Sequence, residues 1–292
     1  MDLKPAILLV LQVSVICTVF RFGVESTAGD LLQVLRHPGL LVRALLAVFV
    51  VMPVVALLLA RFFEFNRTVE IALIALSVSP TPPLLPQRQA VAGGSRSYAL
   101  GLMAVLSLVA VVAVPLVIEV LELVSGRPLS MPPTSVARIV SLTVLLPLVG
   151  GVLVRTLAPR HAGWIGKSAA RVGIVLLPVG IVALLIGLAR AMGALLGDGT
   201  LLAMCLFLCV GLAVGDAMGR PDHHAPVVAL MTACRHPALA WAIAQANFPE
   251  ENVGPAIVLY ILVTVVFGLP YIVWQRRRAA LGGGPAQKVI KT

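Results

Sequence analysis

Apolar runs long enough to cross a hydrocarbon layer, about 20 residues each, recur along almost the whole chain, separated by short clusters of Arg, Pro and Gly. Nine can be laid out: 5–22, 38–61, 68–92, 97–122, 134–157, 167–190, 199–219, 224–247 and 252–275. Two of them are interrupted. The third carries "SPTPPLLPQRQ" (79–89), with four prolines, and the eighth carries "CRHPALAW" (234–241). Proline removes a backbone donor and collides with the preceding turn, so both are predicted to be broken helices rather than continuous rods.

Composition supports the same picture. Of 292 residues, 60% are hydrophobic and 12% charged, against roughly 25% charged in a soluble domain. The expected class is an all-α polytopic integral membrane protein. The net charge of +10 then reads as cationic loops on the cytoplasmic side, with no nucleic-acid partner. With the C-terminus inside, fifteen Lys and Arg fall on the inner side and six on the outer, Arg235 being left within the membrane. That asymmetry predicts a plasma (inner) membrane protein with its N-terminus outside and its C-terminus cytoplasmic. Residues 1–275 form one transmembrane domain, and the basic stretch 276–292 is expected to be a disordered cytoplasmic tail.

Catalytic and metal chemistry find little footing. There is no HExxH and no pair of membrane aspartates at protease spacing, so an enzyme is not expected. Cys205 and Cys209 share a helix face without a His or acid to complete a metal set, and Asp222-His223-His224 reads as a solvated turn. No cofactor and no metal site are expected. No cleavable signal peptide is apparent at the N-terminus.

The two interrupted segments also resemble each other. "SPTPPLLPQRQA" leads through a Gly-containing loop into "YALGLMAVLSLVAVVAVPLVIEVL", and "HPALAWAIAQAN" leads into "GPAIVLYILVTVVFGLPYIVWQ". The copies lie five spans apart, and an odd offset inverts one against the other. This divides the domain into a first half of about 1–122 and a second of about 134–275. Interrupted segments at matching positions of inverted halves point to a secondary-transporter site near the midplane. The candidate substrate-binding residues there are Ser79, Pro80, Thr81, Gln87 and Arg88 at the first break, and Thr232, Arg235, His236 and Pro237 at the second.

Three blocks carry a family resemblance: "LLQVLRHPGLLVRALLAVFVVMPVVALLLARFF" (31–63), "SVSP" (77–80) with the Gly-containing loop and Val-rich span after it, and "TACRHPALAWAIAQANFP" (232–249). In order and spacing they resemble the bile acid:sodium symporter family, and the chain fits its nine-span form. The resemblance implies a core part, in which segments 68–92 and 224–247 cross as two discontinuous helices, and a panel part, with the substrate cavity between them. It also implies positions for sodium ligands. Here those positions read Leu85, Pro86, Gly101, Val105, Met231 and Arg235, which supply no oxygen cage of the kind hard cations want, so sodium is doubtful.

Arg235 is the residue on which function turns. An Arg at the centre of a membrane helix costs roughly 2.5–3.5 kcal/mol on insertion scales, and all twelve acids lie in loops or near span ends. Two readings remain open and are compatible: a fixed cation standing where relatives hold sodium, or a guanidinium fork that receives an anionic substrate group. His236 offers a group that titrates near neutrality, either as a proton carrier or as a helix-helix hydrogen bonder. Arg88 is either an anchor on the inner side or a substrate contact. The expected function is alternating-access transport of a small organic anion, sodium-independent or differently coupled. The alternative is a channel-like or non-transporting anion-binding protein of the same fold. The bilayer is the other expected partner; substrate identity, direction and oligomeric state are not legible.

Overall fold

The computed structural model describes residues 3–63, 66–83, 95–126, 128–197, 199–220 and 224–281. Among the described residues there is no strand. The helices run α1 (Leu3–Val24), a short α2 (Ala28–Leu32), α3 (Pro38–Phe62), α4 (Arg67–Val78), α5 (Arg96–Ser125), α6 (Pro133–Leu157), α7 (Pro159–Ala194), α8 (Thr200–Gly219), α9 (Ala225–Ala233), α10 (Pro237–Asn247) and α11 (Gly254–Leu281). Eight stretches among the described residues are long and apolar enough to cross a membrane, with α9 and α10 together forming one of them. The chain is an all-α polytopic membrane protein. The third expected span, 68–92, begins as α4, and its part from Leu84 onward lies outside the described residues.

Two boundaries differ from the sequence reading. The segment expected at 167–190 is a 36-residue helix, about 54 Å at 1.5 Å per residue. Pro159 opens it at the first helical position, where proline is well tolerated, and its basic residues are good helix formers. The stretch 276–292, expected to be a disordered tail, is helical at its start, because α11 continues through Arg276, Arg277 and Arg278 to Leu281; residues 282–292 lie outside the described residues. Cations in the last turns suit the negative end of a helix, and Arg278 lies over the Trp274 ring, 5.4 Å from its centroid.

Small residues set how the helices pack. Along α7, Gly166, Gly173 and Gly180 recur every seven residues and face α1: a Cβ on Gly173 would stand 2.6 Å from Thr18 Oγ1, and one on Gly180 2.6 Å from Leu11. On its other side α1 meets α6 through Gly23 and Gly151, where added Cβ atoms would stand 2.1 Å from the backbone oxygens of Leu148 and Phe20. Helices α1, α6 and α7 thus form one close-packed group. In the rest of the molecule Gly211, Gly215 and Gly219 of α8 face Ala233, Ala229 and Ala225 of α9 in antiparallel register. This is the small-xxx-small packing that membrane helices use for close approach.

Proline reshapes α3 and α6 at matching points. Residues Ala47–Val51 and Ser141–Leu145 form wide π-turns, followed by Pro53 and Pro147. Neither proline has an N–H for the carbonyl four residues back, and each ring presses on that carbonyl. The helix answers with one wider turn. In α3, the Met52 N–H reaches Ala47 O and Pro53 has none to give. The Val48 carbonyl is left without a partner from its own helix.

Candidate functional site: the crossing of two interrupted helices

Helix α4 stops at Val78, and Ser79 turns extended (φ −72°, ψ 143°) into Pro80, Thr81, Pro82 and Pro83. Helix α9 stops at Ala233, Cys234 turns extended (φ −86°, ψ 137°), and α10 restarts at Pro237. The two extended stretches touch. The His236 N–H donates to Pro80 O at 2.7 Å, and Thr81 Oγ1 donates to Met231 O at 3.2 Å. Tyr260 of α11 donates its hydroxyl to Ala233 O at 2.6 Å, satisfying the end of α9. Ser79, Thr81, Thr232, Arg235 and His236 are all buried here.

Arg235 is 3% exposed. Its Nη1 donates to Val48 O at 3.3 Å and to Ser79 O at 3.2 Å. Prolines freed both acceptors: Val48 by the π-turn, and Ser79 because Pro80, Pro82 and Pro83 supply no N–H. The guanidinium carbon also lies 6.0 Å from the Phe207 ring centroid, within cation–π range. Among the described residues Nε and Nη2 find no acceptor and no carboxylate pairs with Arg235. The side chain therefore carries an uncompensated charge beside the C-terminal, negative end of α4.

His236 caps α10: its Nδ1 accepts the Leu239 N–H at 3.3 Å. Its Nε2 lies 3.3 Å from Thr143 Oγ1, whose own proton goes to Ile139 O at 2.7 Å. Those partners assign the neutral tautomer with the proton on Nε2. A second proton would have to displace the cap. Thr143 belongs to the π-turn of α6, so the two proline-widened turns deliver one group each, to Arg235 and to His236.

The other candidates divide. Thr232 donates its hydroxyl to Val228 O at 2.8 Å and Ser79 to Leu76 O at 2.8 Å, so both satisfy backbone at the breaks. Pro80 and Pro237 shape the crossing. Gln87 and Arg88 lie outside the described residues, as do Leu85 and Pro86. Gly101 admits the backbone of α2, since a Cβ there would stand 2.5 Å from Leu31 O. Val48, Phe207, Thr143 and Tyr260 belong to the site and were missed. Pro53 and Pro147 were the available signal for the two π-turn residues.

A cavity of about 270 Å³ runs along α4 from Arg67 to Val78, between α3, α5 and α10. Its walls are mainly Ile, Leu and Ala, with Glu70 and Asn247 among its polar groups. Neither Arg235 nor His236 lines it; it ends one residue short of Ser79. Away from the crossing, His224 stacks on Tyr98 with centroids 4.1 Å apart, and His37 meets His224 edge-on at 5.4 Å. His224 thus packs against an aromatic ring, while Asp222 and His223 lie outside the described residues. Among the described residues no group of His, Cys, Asp and Glu could hold a metal ion.

The apolar helices of this polytopic membrane protein thus bring the extended stretch after α4 against the break between α9 and α10, beside a buried cation. The family follows: the sodium bile acid symporter family model matches residues 12–195, and the chain belongs to that family. The match takes in the first crossing and ends before the second, where Arg235 lies. No curated protein matches the chain.

Proposed function

We propose that the protein carries a small organic anion across the plasma (inner) membrane by alternating access and does so without sodium, the guanidinium of Arg235 serving as a permanent cation at the crossing. One observation carries this reading. Arg235, buried and unpaired by any described carboxylate, donates to two carbonyl oxygens that prolines have freed. Carbonyl oxygens of that kind are ligands a hard cation would take; a guanidinium that already holds them both occupies and repels. Gly101, Val105 and Met231 add no side-chain oxygen at the other positions. Nε and Nη2 remain as donors toward an anionic group, in the fork geometry that carboxylates and phosphates prefer.

The orientation proposed is N-terminus outside and C-terminus cytoplasmic. The ends of the spans that carry Arg21, Arg96, Arg155, Lys167 and Arg220 then face the cytoplasm, in keeping with the positive-inside bias. The reading is tested by counterflow of labelled organic anions into proteoliposomes, with and without a sodium gradient and a pH gradient. Saturable exchange indifferent to sodium is the expected result. Strict dependence on sodium overturns the role given to Arg235, and non-saturating flux that follows the membrane potential overturns the carrier.

A further inference from the structure

A second cavity, of about 540 Å³, opens where the end of α1, the last turn of α6 and the first turns of α7 meet. Glu25, Arg155, Gly163, Gly166 and Lys167 line it. Glu25 is already engaged: its Oε1 accepts from Arg21 Nε at 2.7 Å and its Oε2 from Arg96. Burial pushes its carboxyl up, but the two guanidinium groups more than offset this and hold it below the ordinary range. Asp30, the other nearby carboxylate, accepts from Thr27 and Ser97 and feels the Arg155 charge. Arg155 and Lys167 form no ion pair with any described residue. Four cations therefore face two satisfied carboxylates, and positive charge is left over in the cleft.

The cleft lies at the head of an apolar rail. Lys167, Ile174 and Ile181 recur every seven residues along α7, and Ile174 is 62% exposed, as suits a lipid-facing stripe. Gly163 leaves open space where a side chain would stand, and Trp164 beside it is 71% exposed, the place where an indole anchors at a headgroup layer. The first turn of α7 holds no acid and its N-cap, Ala158, makes no side-chain bond, so the positive end of a long helix adds to the field.

We propose that this cleft is a binding site for a phosphate-bearing group, supplied by an anionic phospholipid whose phosphate lies between Arg155 and Lys167 and whose chains follow the exposed face of α7. The lipid, rather than free phosphate, is favoured because charge and apolar rail are continuous.

The test uses the full chain in neutral detergent, in a Trp241→Phe/Trp274→Phe background so that Trp164 reports alone. Brominated phosphatidic acid is expected to quench Trp164 at roughly 25-fold lower mole fraction than brominated phosphatidylcholine, each of the two cations being worth about fivefold in affinity. In Arg155→Gln/Lys167→Gln the preference should fall to within about twofold, while size-exclusion elution in phosphatidylcholine shows the variant still folded. Equal quenching by both lipids, or a preference that survives the double substitution, overturns the proposal. Displacement of the brominated lipid by millimolar inorganic phosphate overturns its lipid source.

Discussion

Arg235 and Ser79 meet across 156 residues of sequence through one hydrogen bond, Nη1 to carbonyl oxygen at 3.2 Å. It joins the two interruptions of the membrane domain, and with Val48 it fixes a cation where the helices cross. Arg235→Gln keeps a donor but removes the charge. Under the proposed function, counterflow falls at least about tenfold while the protein still inserts, since losing an interaction to a charged group of about 1.5–3 kcal/mol corresponds to that factor or more. Size-exclusion elution and initial exchange rates, measured on the same preparation, check both halves.

Tyr260→Phe removes the hydroxyl that satisfies Ala233 O. Both groups are buried, and an unpaired buried carbonyl costs about 1–3 kcal/mol. Thermal unfolding in detergent should show the loss directly. An unfolding temperature equal to that of the parent would mean that the end of α9 needs no partner.

Gly215→Ala puts a methyl group 2.5 Å from Ala229 Cα, and backbone cannot yield as a side chain tip can. The expected loss is about 1–3 kcal/mol. Gly187→Ala is the control: nothing lies within 4 Å of its added Cβ, and alanine should gain up to about 1 kcal/mol there. The two variants are expected to move unfolding in opposite directions.

His236→Asn preserves a side-chain acceptor at the N-cap of α10, whereas His236→Ala removes it at a cost of about 1 kcal/mol. Because the imidazole works through hydrogen bonds to Leu239 and Thr143, the Asn variant should keep the parent's pH profile of uptake. A flattened profile in that variant would assign the coupling proton to His236.

Asp30 tests acid sensitivity. Thr27 donates to it from hydroxyl and backbone, Ser97 and the Arg155 charge add to this, and together they outweigh burial and hold its carboxyl below the usual aspartate value. A depressed folded-state value means that the stabilisation is present above the unfolded aspartate value, about 3.9. It is lost as pH falls through the folded value. Wild-type protein should therefore lose unfolding temperature on acidification below about pH 4 more steeply than Asp30→Asn, which starts lower and stays flatter.

Eight of the nine expected spans were legible because apolar length alone marks them, and the breaks because "SPTPP" and "RHP" concentrate prolines in apolar surroundings. Arg235 stood out because a guanidinium in hydrocarbon must be accounted for. Its partners were hidden for a physical reason: they are backbone carbonyls, whose availability depends on which N–H groups the fold leaves unused. Pro53 and Pro147 carried that information, but a proline inside a long membrane span is common and tolerated, as Pro115, Pro178 and Pro270 show. The glycines at 166, 173 and 180 were equally visible and silent, since spacing gives a face without naming the helix that covers it. Apolar length shows only part of the 36-residue α7, because basic residues end a span's apolar run without ending the helix.

The interlocked glycines and alanines of α8 and α9 leave those helices no room to slide, so the pair can move only as a unit. Whatever displacement carries a solute across must fall on joints that can be remade. The links from Glu25 to Arg96 and from Thr143 to His236 join the α1, α6 and α7 group to its neighbours through polar tips, beside the apolar packing of Val136, Val140 and Val144. A cross-link that froze either joint should arrest the cycle while leaving both packed groups intact.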